Sequence, residues 1–143
     1  MRIYTIGFTK TSAQSFFGRL KERRVKRLID VRLNNISQLA GFAKKEDLKF
    51  FSQELCNAQY SHLPDLAPTQ EMLSAYRKEG KDWKIYEDRF IQLLRDRHIE
   101  SMDKDLFKDS CLLCSESKSH YCHRRLVAEY LKCHWGDVDI IHL

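Results

Sequence analysis

With 143 residues, the chain has room for one hydrophobic core of ordinary domain size and none for a second. Its 43% hydrophobic and 11% aromatic residues exclude a disordered chain, and no apolar run approaches the roughly 20 residues of a membrane-spanning helix. A formal charge of +5 favours anionic partners, small molecules or nucleic acid. Five cysteines without an export signal in "MRIYTIGF" imply a cytoplasmic location and reduced thiols.

In chain order, "RIYTIG" reads as a first strand running from Arg2 and closed by Gly7. "TSAQSFFGRLKER" reads as a helix, with Thr11 and Gln14 at capping-box spacing and Phe16, Phe17 and Leu20 on one face. The overlapping "RLKERRVKR" (19–27) is basic at six of nine positions, which suits either a solvated helix end or a face for phosphate or nucleic acid. "RLIDVR" (27–32) is a second strand. Strand, helix and strand in about thirty residues predict a parallel pair.

A helix over "EDLKFFSQELC" follows, with Leu48, Phe51 and Leu55 at helical spacing, and then a third strand over "QYSHL" (59–63). Pro64 and Pro68 place a loop in "HLPDLAPTQ". Two helices come next: "TQEMLSAYRKE", closed by Gly80, and "WKIYEDRFIQLLRDRH", in which Trp83, Tyr86, Phe90, Leu94 and Arg97 share a face. "SCLLC" is strand-like, "YCHRRLVAEYLKCHW" is a helix ended by Gly136, and "DVDIIHL" is a last strand. The expectation is a single α/β domain over residues 1–143, with a mainly parallel sheet of about four or five strands flanked by helices.

In such sheets ligands bind beyond the carboxyl ends of the strands. Three ends stand out: Gly7 to Lys10, then Asp30, Arg32 and Asn34, and then the stretch after the fourth strand. "YTIGFTKTS", "LIDVR" with Ser37 behind it, "YSHLPDLAPT", and "LLCSES" with "YCHRRLVAEYL" and "IIHL" occur in one order. That order resembles the domain-of-unknown-function 488 family from about residue 2 to 143, and "LLCSE" followed by "CHRRLVAEYL" is its most specific part. The resemblance implies the fold and marks positions, but it implies no reaction. Many relatives carry a glycine pair where this chain has "LPDLAPT", which implies a differently shaped loop.

Residues 111–125, "CLLCSESKSHYCHRR", concentrate the chemistry. In an extended strand Cys111 and Cys114 lie roughly 10 Å apart on opposite faces, and adjacent helical residues such as Cys122 and His123 diverge by roughly 100°. A zinc knuckle is therefore disfavoured, and neither a metal nor a cofactor is expected. Walker, dinucleotide and zinc-deaminase patterns are all absent. A helix beginning near Tyr121 would instead offer free N–H groups to an anion, with Arg124 and Arg32 as guanidinium clasps and Thr9 as a positioning group.

Asp30, in a strand, would need Arg32, Arg124 or backbone N–H groups to offset its burial. Cys114 and Cys122 near a helix start suit lowered thiol pKa values, although buried structural thiols are the plain alternative. A phosphatase pattern of a cysteine, five residues and an arginine fails at His120. "LIDVR" also resembles a rhodanese strand, but the loop after Cys114 lacks that family's glycine and arginine. Glu116 would handle protons with His123 as its partner, or would pair with Arg124 or Arg32. His62 lies near the same edge, while His134 and His142 have no evident partner.

Three functions remain open from these residues. One is a small enzyme acting on a phosphorylated, nucleotide-like or nucleic-acid-derived substrate. Its catalytic groups would be Glu116, His123, Cys114 and Cys122, and its binding groups Thr9, Asp30, Arg32 and Arg124. The second is a non-catalytic nucleic-acid module built on residues 19–27. The third is a metal protein using Cys114, Cys122 and a histidine.

Overall fold

The computed structural model describes residues 1–35, 41–78, 82–116 and 119–143, so Ser37 and Gly80 lie outside the described residues. Five strands form one fully parallel sheet: β1 (Arg2–Gly7), β2 (Arg27–Asp30), β3 (Gln59–His62), β4 (Ser110–Cys114) and β5 (Asp139–His142). Their order is β3-β2-β4-β1-β5. Five helices cover the sheet: α1 (Ala13–Glu22), α2 (Lys45–Cys56), α3 (Gln70–Lys78), α4 (Trp83–Asp96) and α5 (His123–Trp135). The expected α/β fold is the observed one.

Strand periodicity divides the core between two faces. Tyr4, Ile6, Leu28, Cys111 and Leu113 pack with Phe16, Phe17 and Leu20 of α1 and Leu48 of α2. Ile3, Ile29, Leu112 and Cys114 pack with Phe90 and Leu94 of α4 and with Leu126 and Val127 of α5. Cys111 and Cys114 thus face opposite sides of the sheet, as strand geometry requires. Every residue of β4 is buried, which accounts for its unbroken run of apolar and small side chains between two helical layers.

β4 enters late in the chain yet lies between β1 and β2. The helices after β1 and β2 cover one face, and the helix after β4 covers the other. Backbones leaving neighbouring strands therefore part in opposite directions and open a crevice at the carboxyl edge. Among the described residues, no helix is long and apolar enough to cross a membrane.

Three local expectations shift. The cap of α1 is Ser12, whose Oγ accepts from Ser15 N at 3.1 Å, while Thr11 turns its hydroxyl back to the Thr9 carbonyl at 3.3 Å. Two adjacent hydroxyls competed for the cap, and the one nearer the helix took it. Leu55 is 49% exposed, because with Phe51 it borders an open groove against α1, where Gly18 supplies no covering side chain. α5 starts at His123 rather than Tyr121. Cys122 is its N-cap, with extended backbone angles of φ −137° and ψ 137°.

Candidate functional site

The crevice is a cleft of about 630 Å³. Cys114, Cys122 and His123 form its floor, and Arg32 and Phe8 one wall. Tyr76 and Arg77 come from α3, while Glu116 and Tyr121 border it from the loop between β4 and α5. Aromatic rings, two guanidinium groups and a thiol cluster thus share one recess.

The end of β1 is held very close to the loop after β4. Thr9 N donates to the Ser115 carbonyl at 3.0 Å. A Cβ on Gly7 would overlap the Glu116 carbonyl and sit 2.9 Å from Arg124 Nη1, so only glycine fits there. Arg124 is almost wholly buried, and its Nη1 donates to the Glu116 carbonyl and to Cys122 Sγ, the latter at 3.6 Å. This arginine fastens the floor from behind. It is not among the residues that line the cleft, where an anion clasp would stand.

Asp30 is fully buried and likewise stands behind the wall. It accepts from Arg32 N at 3.1 Å, Arg32 Nε at 2.9 Å, Arg32 Nη2 at 2.8 Å and the Tyr60 hydroxyl at 2.6 Å. With these donors in place it holds Arg32 in the wall. Burial, and then the Asp30 charge, push the Tyr60 phenol pKa up. Arg32 Nη2 also donates to the Ala43 carbonyl at 2.8 Å, and its guanidinium lies 5.1 Å from the Phe8 ring centroid. Its Nη1 is buried and has no hydrogen-bond partner among the described residues. Thr9, expected to position the ligand, is also absent from the lining; its N–H pins two loops together.

On the floor, His123 Nε2 is 2.6 Å from the Val31 carbonyl and Nδ1 is 3.5 Å from Cys114 Sγ. A carbonyl can only accept, so Nε2 carries a proton. A hydrogen bond from the Cys122 thiol holds the Cys114 thiol pKa well below its ordinary value despite burial, and His123 and Arg124 assist. Burial and the Cys114 charge push Cys122 the opposite way. Burial opposes a charged His123, but the Cys114 thiolate and the Val31 carbonyl outweigh it and raise the imidazole pKa. Of the two sulfurs Cys114 is thus the more readily deprotonated, and the His123 imidazole stands beside it.

The donor atoms of Cys114, Cys122 and His123 all lie within 4.8 Å of one another. The expected divergence of Cys122 and His123 fails because Cys122 is not helical. As an extended N-cap it directs its sulfur back toward the end of β4. Glu116 is exposed at the rim, and Arg124 engages its backbone carbonyl rather than its carboxylate. Burial, and then that carboxylate, raise the Tyr76 phenol pKa.

Five of the eight expected site residues therefore meet in the cleft: Arg32, Cys114, Glu116, Cys122 and His123. His62 instead bonds the Arg32 carbonyl at 2.7 Å. His134 bonds the Tyr130 carbonyl at 2.9 Å and His142 bonds Thr5 Oγ1 at 2.6 Å, so both have the partners that the sequence did not reveal. Sequence reasoning missed Tyr76, Arg77 and Tyr121. The first two had a signal, since Leu73, Tyr76 and Arg77 are spaced to share one face of α3.

A family model described as "Domain of unknown function DUF488" matches residues 12–131, and the chain belongs to that family. No curated protein and no solved structure gives a match.

Proposed function

We propose that this member of the DUF488 family is a small enzyme acting on a phosphorylated, nucleotide-like or nucleic-acid-derived substrate held in the cleft. The observation that carries this reading is the unpartnered Nη1 of Arg32. That guanidinium is 5% exposed, fixed on two sides by Asp30 and Ala43, and borders the cleft with a donor to spare. A preorganised buried donor beside a reactive cluster suits an anionic oxygen. Tyr76 and Tyr121 offer ring faces of the kind that stack on a base, and Arg77 adds charge at the rim. Cys114, Cys122 and His123 are the reaction centre, and Glu116 exchanges protons with solvent.

The test is a thermal-shift screen of nucleotides and phosphorylated metabolites. A binder at about 100 times its dissociation constant adds about 2.7 kcal/mol of stability. Arg77→Ala and Tyr121→Ala change exposed side chains, so they should weaken the binding while leaving the ligand-free melting temperature in place. No stabilising compound, or a stabilisation indifferent to both changes, rejects the cleft as a substrate site. The nucleic-acid alternative on residues 19–27 uses exposed side chains at the end of α1 and in the turn before β2, and it predicts steep weakening with salt.

A further inference from the structure

We propose that Cys114 Sγ, Cys122 Sγ and His123 Nδ1 are three ligands of a thiophilic divalent cation of the zinc class, whose fourth position opens into the cleft. The inference rests on the reading of this cluster as the reaction centre and supplies its chemistry: metal-assisted activation of a water or of a substrate oxygen.

Distance is the first support. A tetrahedral ion with bonds of about 2.3 Å to sulfur and about 2.0–2.1 Å to nitrogen holds those donors about 3.5–3.6 Å apart. Cys114 Sγ and His123 Nδ1 are 3.5 Å apart, and Cys122 Sγ completes a set within 4.8 Å. The second support is independent of it. Metal-binding imidazoles commonly donate their other N–H to a carbonyl, which fixes the tautomer. The Val31 carbonyl, 2.6 Å from Nε2, does this and leaves Nδ1 as the unprotonated ring nitrogen. Cys114 Sγ, 3.5 Å from Nδ1 and 3.9 Å from Nε2, lies beside the ring, so binding an ion requires that side chain to swing toward the Nδ1 lone pair.

Charge supplies a third argument. Two buried thiolates repel each other, whereas two thiolates, a neutral imidazole and a divalent ion sum to zero. Arg124 Nη1, 3.6 Å from Cys122 Sγ, adds the outer hydrogen bond typical of bound thiolates. All three ligands are buried, yet each borders the cleft. Among the described residues no carboxylate joins the cluster as a fourth ligand, which is the composition of an open rather than a closed zinc site.

The experiment titrates the reduced full chain with Co²⁺ and then displaces it with Zn²⁺. The expected result is one ion per chain, intense visible bands of tetrahedral cobalt and a near-ultraviolet thiolate-to-metal band. Zn²⁺ should bind more than about 100-fold more weakly in Cys114→Ser and in Cys122→Ser, a loss beyond the roughly 10–100-fold expected of an outer-shell change. Cys133→Ser, at an exposed cysteine, should bind as the wild type does. Weak octahedral bands without a thiolate band overturn the proposal. So does tetrahedral binding that survives both substitutions together. The wild-type spectrum reports thiolate ligation and tetrahedral geometry without any substitution, and Cys114→Ser and Cys122→Ser are two separate variants, so one that fails to fold does not decide the matter. Tetrahedral cobalt in a protein that stabilises with no nucleotide keeps the metal site and rejects the substrate reading; nucleotide binding without thiolate bands does the reverse.

Discussion

Gly7 is the residue on which the geometry of the cleft turns. A methyl group there must displace the Glu116 backbone carbonyl and the buried Arg124 that is bonded to it. Gly7→Ala should cost about 1–3 kcal/mol by overpacking, read as a lower urea midpoint; an unchanged midpoint would mean that the loop after β4 is free to move. Arg124→Ala tests the same joint from the other side. It leaves the Glu116 carbonyl without this donor, at about 1–3 kcal/mol, and adds a cavity. Its effect should appear in stability, with phosphate-ligand affinity retained by the folded fraction. Loss of affinity at an unchanged urea midpoint would restore Arg124 as an anion contact. The sequence identified Arg124 as a functional position but not its direction. A guanidinium two residues past the end of a loop can reach a ligand or the loop's own carbonyl, and only the closeness of Gly7 decides which.

At the scale of elements, β5 is an edge strand whose side chains reach the sheet interior at few points. One tie is the 2.6 Å contact between His142 Nδ1 and Thr5 Oγ1 of β1. Burial first, and then the Arg124 charge, lower the His142 pKa from its ordinary 6.5. As pH falls below that value the unfolded chain takes up the proton before the folded one does, so the unfolded state binds more protons and stability declines. The contribution is complete above the ordinary histidine range and is lost as pH falls toward the depressed folded value. His142 should therefore contribute a downward slope to thermal melts from pH 7.5 to 5, opposed by the raised pKa of His123. His142→Asn should remove that contribution, making the variant's melts slope less downward than the wild type's. Parallel slopes in the two proteins would remove His142 as a source of the pH dependence. No feature of "DIIHL" announced this tie, because Thr5 is 137 residues away in the chain.

The whole molecule shows which information is local and which is not. Strand alternation and helix spacing are local, and they made the α/β order and the opposed faces of Cys111 and Cys114 legible in advance. Insertion of β4 between β1 and β2 is a long-range choice. That insertion brings Arg32 and the cysteine stretch to one recess. The same order of elements separates two cationic regions. Lys21 and Arg23, at the end of α1, belong to the turn that leads into the amino edge of β2, whereas the cleft lies beyond the carboxyl edge. Across β1, six residues at about 3.3 Å per step put the two edges about 17 Å apart, roughly twice the screening length of about 8 Å at physiological salt. Lys21→Ala combined with Arg23→Ala should therefore leave nucleoside monophosphate affinity within about twofold, or about 0.4 kcal/mol, at 0.15 M salt, a condition set by roughly physiological screening. Isothermal titration of the double variant measures this directly. A tenfold loss, about 1.4 kcal/mol, would place the anion on the basic turn and reject the cleft as its site.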